Sequence, residues 1–405
     1  MVQRSFGVLA IALFIAGLAI PAQAQSQAGF QRWVADFWPA AKSAGISRST
    51  YERGFRGARL DPEVLEKARY QPEFVKPMWD YIDRAVSQKR LENGKAKLRE
   101  NRRLLDALER KYGVDRHILV AIWGMESSYG EVLNNPKIVK GVIQSLATLA
   151  YADKRRARFG RQQLLAALKI LQRGDVSPAG LTGSWAGAMG HTQFIPTTYN
   201  AYAVDFDGDG RRNIWTSPAD ALGSAAHYLK KSGWVGGKTW GYEVVLPRRF
   251  DYRLADGAAT RTLGQWQSLG IGRARGKQFP RPGDRAELLL PSGANGPAFL
   301  LLRNHFVIKR YNNATSYALA IGHLADRLRG GGAFAQAWPR SERPLSIPER
   351  RELQAQLARF GYYKGSVDGK IGPMSRAAIR AFQSRAGLSA DGYAGADLLN
   401  RLRGT

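Results

Sequence analysis

The sequence contains no cysteine, and that absence excludes several classes of site at once. Disulfides, thiolate zinc sites, iron–sulfur clusters and cysteine nucleophiles all need the missing sulfur. Acidic residues are also scarce, with 33 Asp and Glu against 61 Lys and Arg, so the net charge is +28. Such an excess of positive charge predicts an anionic partner, which could be a nucleic acid, a lipid surface or an acidic polymer of the cell envelope.

Only one long apolar run is present, and it lies at the N-terminus. Residues 6–20 are almost entirely apolar, Arg4 precedes them, and Ala22-Gln23-Ala24 follows. This order is typical of a secretory signal peptide. The run is about 15 residues long, short of the ~20 that a membrane-spanning helix needs, although an uncleaved anchor is the alternative. We expect residues 1–24 to be removed, with cleavage near Ala24-Gln25, which leaves a soluble monomer without a transmembrane helix.

The 405 residues suffice for two or three domains. Helical periodicity dominates residues 25–330, and short apolar or alternating runs over about 241–311 predict an antiparallel β insert whose last strand is at 305–311. A Gly-rich and polar stretch predicts a linker over 331–347, followed by a small C-terminal domain over 348–405. The predicted fold class is α+β and predominantly α-helical.

One acidic residue lies in an apolar setting. The helix that we expect to begin after Asp115 is apolar, and Glu126 falls near its C-terminal end. Burial raises the pKa of a carboxyl group, and so does the negative end of a helix dipole. A Glu that stays protonated near neutral pH has the property that a general acid for glycoside cleavage needs. The alternative is an ordinary Glu at a helix end, held by a neighbouring Arg.

Two further segments carry neutral polar groups. Residues 183–196 are rich in Gly and include Ser184 and Gln193, which suit hydroxyl and acetamido groups of a sugar. A Gly-rich turn packed into the core is the alternative. Tyr311 and Asn312 end the predicted β insert and can line a cleft, although an Asn at that position equally caps a helix.

Together these segments resemble a known family. Met125-Glu126-Ser127-Ser128-Tyr129-Gly130, then the segment 186–196, then Arg310-Tyr311-Asn312 are similar in order and spacing to the motifs of the lytic murein transglycosylases. The B-type branch fits best, over residues 29–330, and the missing lipidated Cys indicates a soluble form. The resemblance implies a lysozyme-like catalytic region with Glu126 as its single acid/base. The sugar-binding residues that it implies are Ser184, Gln193, Tyr228, Tyr311, Asn312 and Tyr317.

The resemblance also implies a reaction that does not consume water. Glu126 would protonate the oxygen of the MurNAc–GlcNAc β-1,4 bond and then deprotonate the MurNAc C6 hydroxyl as it attacks C1, which gives 1,6-anhydro-MurNAc. Most glycosidases use two carboxylates, and Glu131 lies too far around a helix to be an evident partner. We expect no cofactor for this chemistry. A hydrolytic muramidase and a non-catalytic wall-binding scaffold are the alternatives.

A possible metal site lies between the second and third motifs. Its Asp-rich segment matches the first half of an EF-hand loop, but Thr216 stands where the loop needs a bidentate Glu. The resemblance implies a similar Ca²⁺ loop, so we expect structural Ca²⁺ or Na⁺, with a metal-free turn as the alternative. The candidate ligands are Asp205, Asp207, Asp209, Arg211 and Asp220.

The C-terminal residues resemble the three-helix peptidoglycan-binding domain found on many wall hydrolases. The similarity includes Gly361-Tyr362-Tyr363 and Phe382-Gln383, and Asp391-Gly392-Tyr393 echoes Val367-Asp368-Gly369. The expected partner is therefore peptidoglycan in the periplasm. No nucleic-acid motif is recognised, so nucleic acid is not expected as a partner.

Overall fold

The structure is a computed structural model that describes residues 26–69 and 77–404. The predicted signal peptide, residues 1–24, lies outside the described residues and stays a prediction. Within the described ranges, no helix is both long enough and apolar enough to cross a membrane.

The first half of the chain is helical, as the sequence predicts. Its helices are α1 Gln27–Asp36, α2 Trp38–Ser43, α3 Arg48–Phe55, α4 Pro62–Arg69, α5 Met78–Ala85, α6 Gln88–Glu100, α7 Arg102–Tyr112, α8 Arg116–Ser127, α9 Val142–Ala152, α10 Ala157–Arg173, α11 Pro196–Tyr202 and α12 Pro218–Lys231. Two short strands, β1 Lys140–Gly141 and β2 Thr182–Gly183, pair antiparallel beside α9.

Helix α8 is central to this region. It begins where predicted, because the Asp115 side chain accepts a hydrogen bond from the backbone of His117 and so caps the helix. Eight of its 12 residues are buried, so it is surrounded by other helices and not exposed along one face. Each fully buried Leu or Ile contributes about 1.5–3 kcal/mol, so this burial fixes the position of the helix end that carries Glu126.

An antiparallel sheet follows, as predicted. Its strands are β3 Gly241–Val245, β4 Thr260–Thr262, β5 Gly272–Arg273, β6 Arg285–Leu289 and β7 Ala298–Leu301, with helix α13 Leu263–Ser268 after β4. The strand order is β4-β6-β7-β3-β5, and every described pairing between neighbouring strands is antiparallel.

The strand predicted at 305–311 is wrong. That segment belongs to helix α14 Arg303–Tyr311, which is followed by helix α15 Thr315–Leu328. The buried residues of α14 are Asn304, His305, Val307 and Ile308, which is the spacing of one helical face. The sheet therefore ends at Leu301, and the Tyr311 motif stands at the end of a helix.

The C-terminal domain has the three predicted helices, α16 Ile347–Arg359, α17 Pro373–Arg385 and α18 Ala396–Arg403. Its two similar turns have the same hydrogen bonds. Gln354 Nε2 donates to Asp368 Oδ1 and Gln383 Nε2 donates to Asp391 Oδ1, at 3.2 and 2.7 Å. The Gly after each Asp has positive φ and donates its N–H back to the same Gln. The echo in the sequence is thus a repeated Gln–Asp–Gly turn.

The segment between α15 and α16 packs against the sheet. The backbone N–H groups of Ala335 and Gln336 both donate to the Glu243 carboxylate at 2.8 Å. The C-terminal domain also contacts the sheet region, through an ion pair of Arg376 with Asp256 at 3.0 Å. The domain is therefore held against the sheet by these contacts.

Candidate active site

The end of α8 is fixed by an unusual turn. Ser128, Tyr129 and Gly130 all have left-handed backbone conformations, with φ of 50°, 62° and 94°. Ser127 Oγ donates to the His191 carbonyl at 2.7 Å and accepts from the Gly130 N–H at 3.0 Å. A Cβ atom at Gly130 would lie 2.5 Å from the His191 ring, so only Gly fits there. The Glu motif and the Gly-rich segment are thereby joined.

Glu126 lies at this junction. The protein surrounds its carboxyl group closely, and part of its surface stays open to a cleft. Burial raises the pKa of Glu126 to about 7, because the charged form loses its hydration. The Tyr317 hydroxyl donates to Glu126 Oε1 at 2.6 Å, which favours the carboxylate and opposes part of that rise. Among the described residues no Lys or Arg pairs with Glu126, so the alternative of a Glu held by an Arg does not apply.

A cleft of about 240 Å³ opens beside Glu126. Its lining consists of Met125, Glu126, Ser127, Ser128, Val132, Leu133, Ile138, Val139, Thr182, Gly183, Ser184 and Gln193. Glu126 is the acidic member of this set. Glu131 is directed elsewhere, because it accepts a hydrogen bond from Asn93 and lies 3.7 Å from the Lys89 ammonium group. The described lining thus offers one carboxyl group, in a position to donate and to accept a proton.

Ser184 and Gln193 both line the cleft, where the sequence places them. Ser184 Oγ accepts hydrogen bonds from the N–H groups of Ala186 and Ala188, at 3.3 and 3.1 Å. Gln193 has φ of 51°, and its Nε2 donates to the Gly190 carbonyl at 2.8 Å. These bonds leave the Ser184 O–H and the Gln193 Oε1 for a ligand.

Two tyrosines adjoin the site. Tyr311 donates its hydroxyl to the Thr192 carbonyl and Tyr228 donates to the Arg310 carbonyl, each at 2.6 Å, and their rings meet edge to face at 5.2 Å. Burial, and then the nearby Glu126, raise the pKa of Tyr311, so this hydroxyl stays neutral. Asn312 is exposed at the C-terminal end of α14 and is not part of the described cleft lining.

Four of the predicted metal ligands converge. Carboxylate oxygens of Asp205, Asp207, Asp209 and Asp220 lie within 4.8 Å of one another. Asp220 is fully buried and accepts the N–H groups of Phe206 and Asn213, both at 2.7 Å. Arg211 donates its N–H to Asp209 Oδ1 at 2.8 Å. So many like charges at this spacing fit a hard, oxygen-bound cation such as Ca²⁺.

Comparison with protein families identifies the chain. Residues 29–326 match the family described as Transglycosylase SLT domain, and residues 346–402 match the Putative peptidoglycan binding domain. The chain belongs to the SLT-domain transglycosylases. The predicted resemblance to this family is confirmed, as is its lysozyme-like, mainly helical fold.

The similar proteins are lytic transglycosylases. This transglycosylase is 37% identical over 230 residues to Membrane-bound lytic murein transglycosylase B of Escherichia coli (strain K12). That match covers 54% of this chain and 59% of the relative, so the chain spans about three-fifths of that relative's length. The structure of SltB3 from Pseudomonas aeruginosa in complex with NAG-anhNAM-pentapeptide is 51% identical, with a TM-score of 0.87 over 94% of this chain and 100% of that one. Slt35 of Escherichia coli in complex with calcium is 28% identical, with a TM-score of 0.61 over 75% of this chain and 93% of that one.

One wall of this transglycosylase's cleft was not predicted from the sequence. Val132, Leu133, Ile138 and Val139 form it, and the Ile138 side chain is 43% exposed. Two apolar pairs soon after the Glu motif, Val132-Leu133 and Ile138-Val139, were the available signal. An exposed apolar wall suits the carbon face of a sugar ring.

Proposed function

We propose that this transglycosylase cleaves the β-1,4 bond between MurNAc and GlcNAc of peptidoglycan without water, leaving a 1,6-anhydro-MurNAc end. One observation carries the proposal: a single carboxyl group, Glu126, lines the described cleft, and its pKa of about 7 lets it act first as an acid and then as a base. Structures of SltB3 hold NAG-anhNAM-pentapeptide and NAG-NAM-pentapeptide, which supports both the substrate and the product.

Glu126 serves in both half-reactions. In the first, its O–H gives a proton to the glycosidic oxygen while the bond from C1 to that oxygen breaks. In the second, the Glu126 carboxylate takes the proton of the C6 hydroxyl while O6 bonds to C1. The proton is thereby returned to Glu126, and no water is consumed. The Tyr317 hydroxyl, at 2.6 Å, stabilises the carboxylate between these two steps.

The remaining candidate residues hold the sugar. Ser184 and Gln193 offer neutral hydrogen-bonding groups to hydroxyl and acetamido groups. Tyr228 and Tyr311, whose rings pack edge to face, contact the sugar next to them. Asn312, at the end of α14, is a contact for a sugar farther along the strand. None of these residues carries a charge, which leaves the pKa of Glu126 under the control of burial and Tyr317.

The chain's organisation fits action on the cell wall. Residues 1–24 direct export to the periplasm, residues 25–330 form the catalytic region, 331–347 form the linker, and 348–405 hold the enzyme on peptidoglycan. The enzyme acts as a monomer. The Asp205–Asp220 cluster binds Ca²⁺ or Na⁺ as a structural ion and takes no part in the reaction.

The test is a pair of matched substitutions. Glu126→Gln is nearly isosteric but cannot donate and retake a proton, so turnover of purified sacculi should fall by at least ~10²-fold while sacculus binding persists. Glu131→Gln removes a carboxylate five residues away that does not line the cleft, and it should keep its turnover. Retained turnover in Glu126→Gln would remove this residue from the reaction, and binding without turnover in the unmodified enzyme would favour a scaffold.

A further inference from the structure

A second, larger cavity lies beside α14. It has a volume of about 460 Å³ and is bounded by α14, by residues 232–239 and by strands β4 and β6. Arg303, Phe306, Val307 and Arg310 line it from α14, at the spacing of one helical face. None of the roles described above uses these side chains.

The cavity is predominantly basic. Four cationic side chains line it, Lys238, Arg285, Arg303 and Arg310, against the two acidic side chains of Asp284 and Glu287. Lys238 already pairs with Asp284 at 2.6 Å, so the other three cations face a single carboxylate. Such an excess in one concave surface attracts anionic groups.

Two of these cations have donors to spare. Arg303 is exposed and uses its Nε to donate to the Gly233 carbonyl at 3.0 Å, which leaves its terminal N–H groups for a ligand. Arg310 is exposed, and its guanidinium group makes no hydrogen bond or ion pair within the described parts of the chain. A planar guanidinium binds a carboxylate through two parallel hydrogen bonds.

One acceptor in the cavity also lacks a partner. The Asp284 side chain is 10% exposed, and its Oδ2 is buried without a hydrogen bond among the described residues. A buried acceptor of this kind is costly unless a ligand or water donates to it. The spare donors of Arg303 and Arg310 remain the groups that the cavity offers to a ligand, and they suit the carboxylates of an acidic peptide.

The Arg310 end of the cavity lies next to the pair of tyrosines that adjoins the catalytic cleft. The Arg310 carbonyl accepts the hydrogen bond of Tyr228, and Tyr311 follows Arg310 in the chain. Arg303 lies two helical turns farther, about 10 Å along α14. An extended peptide of five residues spans roughly 17 Å, so a peptide attached to a sugar beside Tyr311 reaches both guanidinium groups.

We propose that this basic groove binds the acidic peptide carried by the muramoyl sugar, with Arg303 and Arg310 pairing with its carboxylates. The inference rests on the proposed function for its substrate class and adds the part of the protein that selects peptide-bearing glycan. Arg303 and Arg310 are thus specificity-determining residues that never touch the bond being cleaved.

The experiment measures binding separately from cleavage. The full mature chain carrying Glu126→Gln is titrated calorimetrically with GlcNAc–MurNAc–pentapeptide and with the same compound whose peptide carboxylates are amidated. Two exposed ion pairs predict a roughly three- to tenfold weaker Kd for the amidated compound. Adding Arg303→Gln/Arg310→Gln should raise the Kd of the charged compound to that of the amidated compound. The Kd of the amidated compound should not change.

Two matched variants complete the design. Arg158→Gln/Arg161→Gln removes two exposed cations from α10, and it should keep the preference for the charged compound. Arg303→Lys/Arg310→Lys keeps both charges and should keep most of that preference. Equal Kd values for the two compounds in the protein with both arginines would overturn the proposal. So would an Arg303→Gln/Arg310→Gln protein that still prefers the charged compound, or one whose Kd values rise equally for both compounds. Product analysis of the active enzyme decides the proposed reaction separately, so the two can fail independently.

Discussion

The burial of the Glu126 carboxyl group costs stability, and the cost can be assigned to this one residue. Its pKa rises from an ordinary value of 4.5 to about 7 in the folded protein. The folded state therefore binds this proton more tightly than the unfolded state does. Below pH 4.5 both states are protonated and there is no cost, whereas the folded state loses stability as pH rises towards 7 and beyond.

The first prediction concerns this cost. At pH 8 the free energy of unfolding of Glu126→Gln should exceed that of the unmodified protein by up to about 3 kcal/mol, because Gln carries no charge to bury. The size follows from the pKa shift, since each pKa unit corresponds to about 1.4 kcal/mol. At pH 4 the two proteins should unfold alike. Urea titrations at both pH values measure the difference. A Glu126→Gln protein that gains no stability at pH 8, or that gains the same amount at both pH values, would contradict the raised pKa.

The second prediction concerns the pH dependence of the rate. In the proposed reaction the free enzyme needs protonated Glu126, so kcat/KM should fall about tenfold per pH unit above a midpoint near 7. Tyr317→Phe removes a hydrogen bond that favours the carboxylate, so the pKa of Glu126 should rise and this midpoint should move to higher pH.

Tyr228→Phe is the control for this shift. Its hydroxyl donates to the Arg310 carbonyl and not to Glu126, so the midpoint should stay in place even where the rate falls. If the midpoint of Tyr317→Phe stays in place or moves to lower pH, the Tyr317 hydroxyl does not lower the pKa of Glu126. The pH profile distinguishes these outcomes, which a single rate measurement would not.

At the scale of elements, the Asp-rich loop before α12 depends on its charges. Three of its carboxylates and that of Asp220 lie within 4.8 Å of one another, so a bound cation should stabilise the folded protein. Ca²⁺ at ten times its Kd should add about 1.4 kcal/mol to the free energy of unfolding. Asp209→Asn keeps an oxygen for the Arg211 N–H but removes one charge, and should reduce this gain.

Thermal unfolding with and without Ca²⁺ measures the effect of the loop. Asp36→Asn, which removes an exposed carboxylate from α1, should respond to Ca²⁺ as the unmodified protein does. Equal Ca²⁺ responses in Asp209→Asn and in the unmodified protein would place the ion elsewhere. No response to Ca²⁺ in either protein would leave the loop as a metal-free turn.

Helices and strands were predicted correctly where capping residues and hydrophobic periodicity indicated the same element. Helix α8 has a capping Asp115 and an apolar body, and both were readable from the sequence. Helix α14 was missed because its short apolar run, Phe306-Val307-Ile308, follows real strands and has the length and composition of a strand. Nine residues are too few for periodicity to decide when the preceding segments are β.

At the scale of the whole molecule, the site depends on contacts between distant residues. Glu126 and Tyr317 are 191 positions apart, yet their 2.6 Å hydrogen bond helps to set the pKa of the acid. Tyr311 and Thr192 are similarly separated, by 119 positions. The family resemblance named these residues as parts of one site. No local sequence pattern gives the distances between them, because the packing of α8, α14 and α15 determines those distances.

The docking of the C-terminal domain also emerged only from the structure. The polar composition of 331–347 predicts a linker, whereas the structure holds Ala335 and Gln336 on Glu243, and Asp391 Oδ2 accepts the N–H of Ala294 in the sheet region. Asp391 therefore uses one oxygen for the repeated turn and the other for docking. Its counterpart Asp368 is exposed, so the two turns differ in what they contact although their sequences are alike.

In the proposed reaction, one carboxyl group cleaves the glycan without water. Mass spectrometry of the muropeptides that the enzyme releases from purified sacculi distinguishes this reaction from hydrolysis. We expect products one water lighter than hydrolytic fragments, with 1,6-anhydro-MurNAc ends. Hydrated products with reducing ends would contradict it, because hydrolysis requires a group that activates water in addition to Glu126.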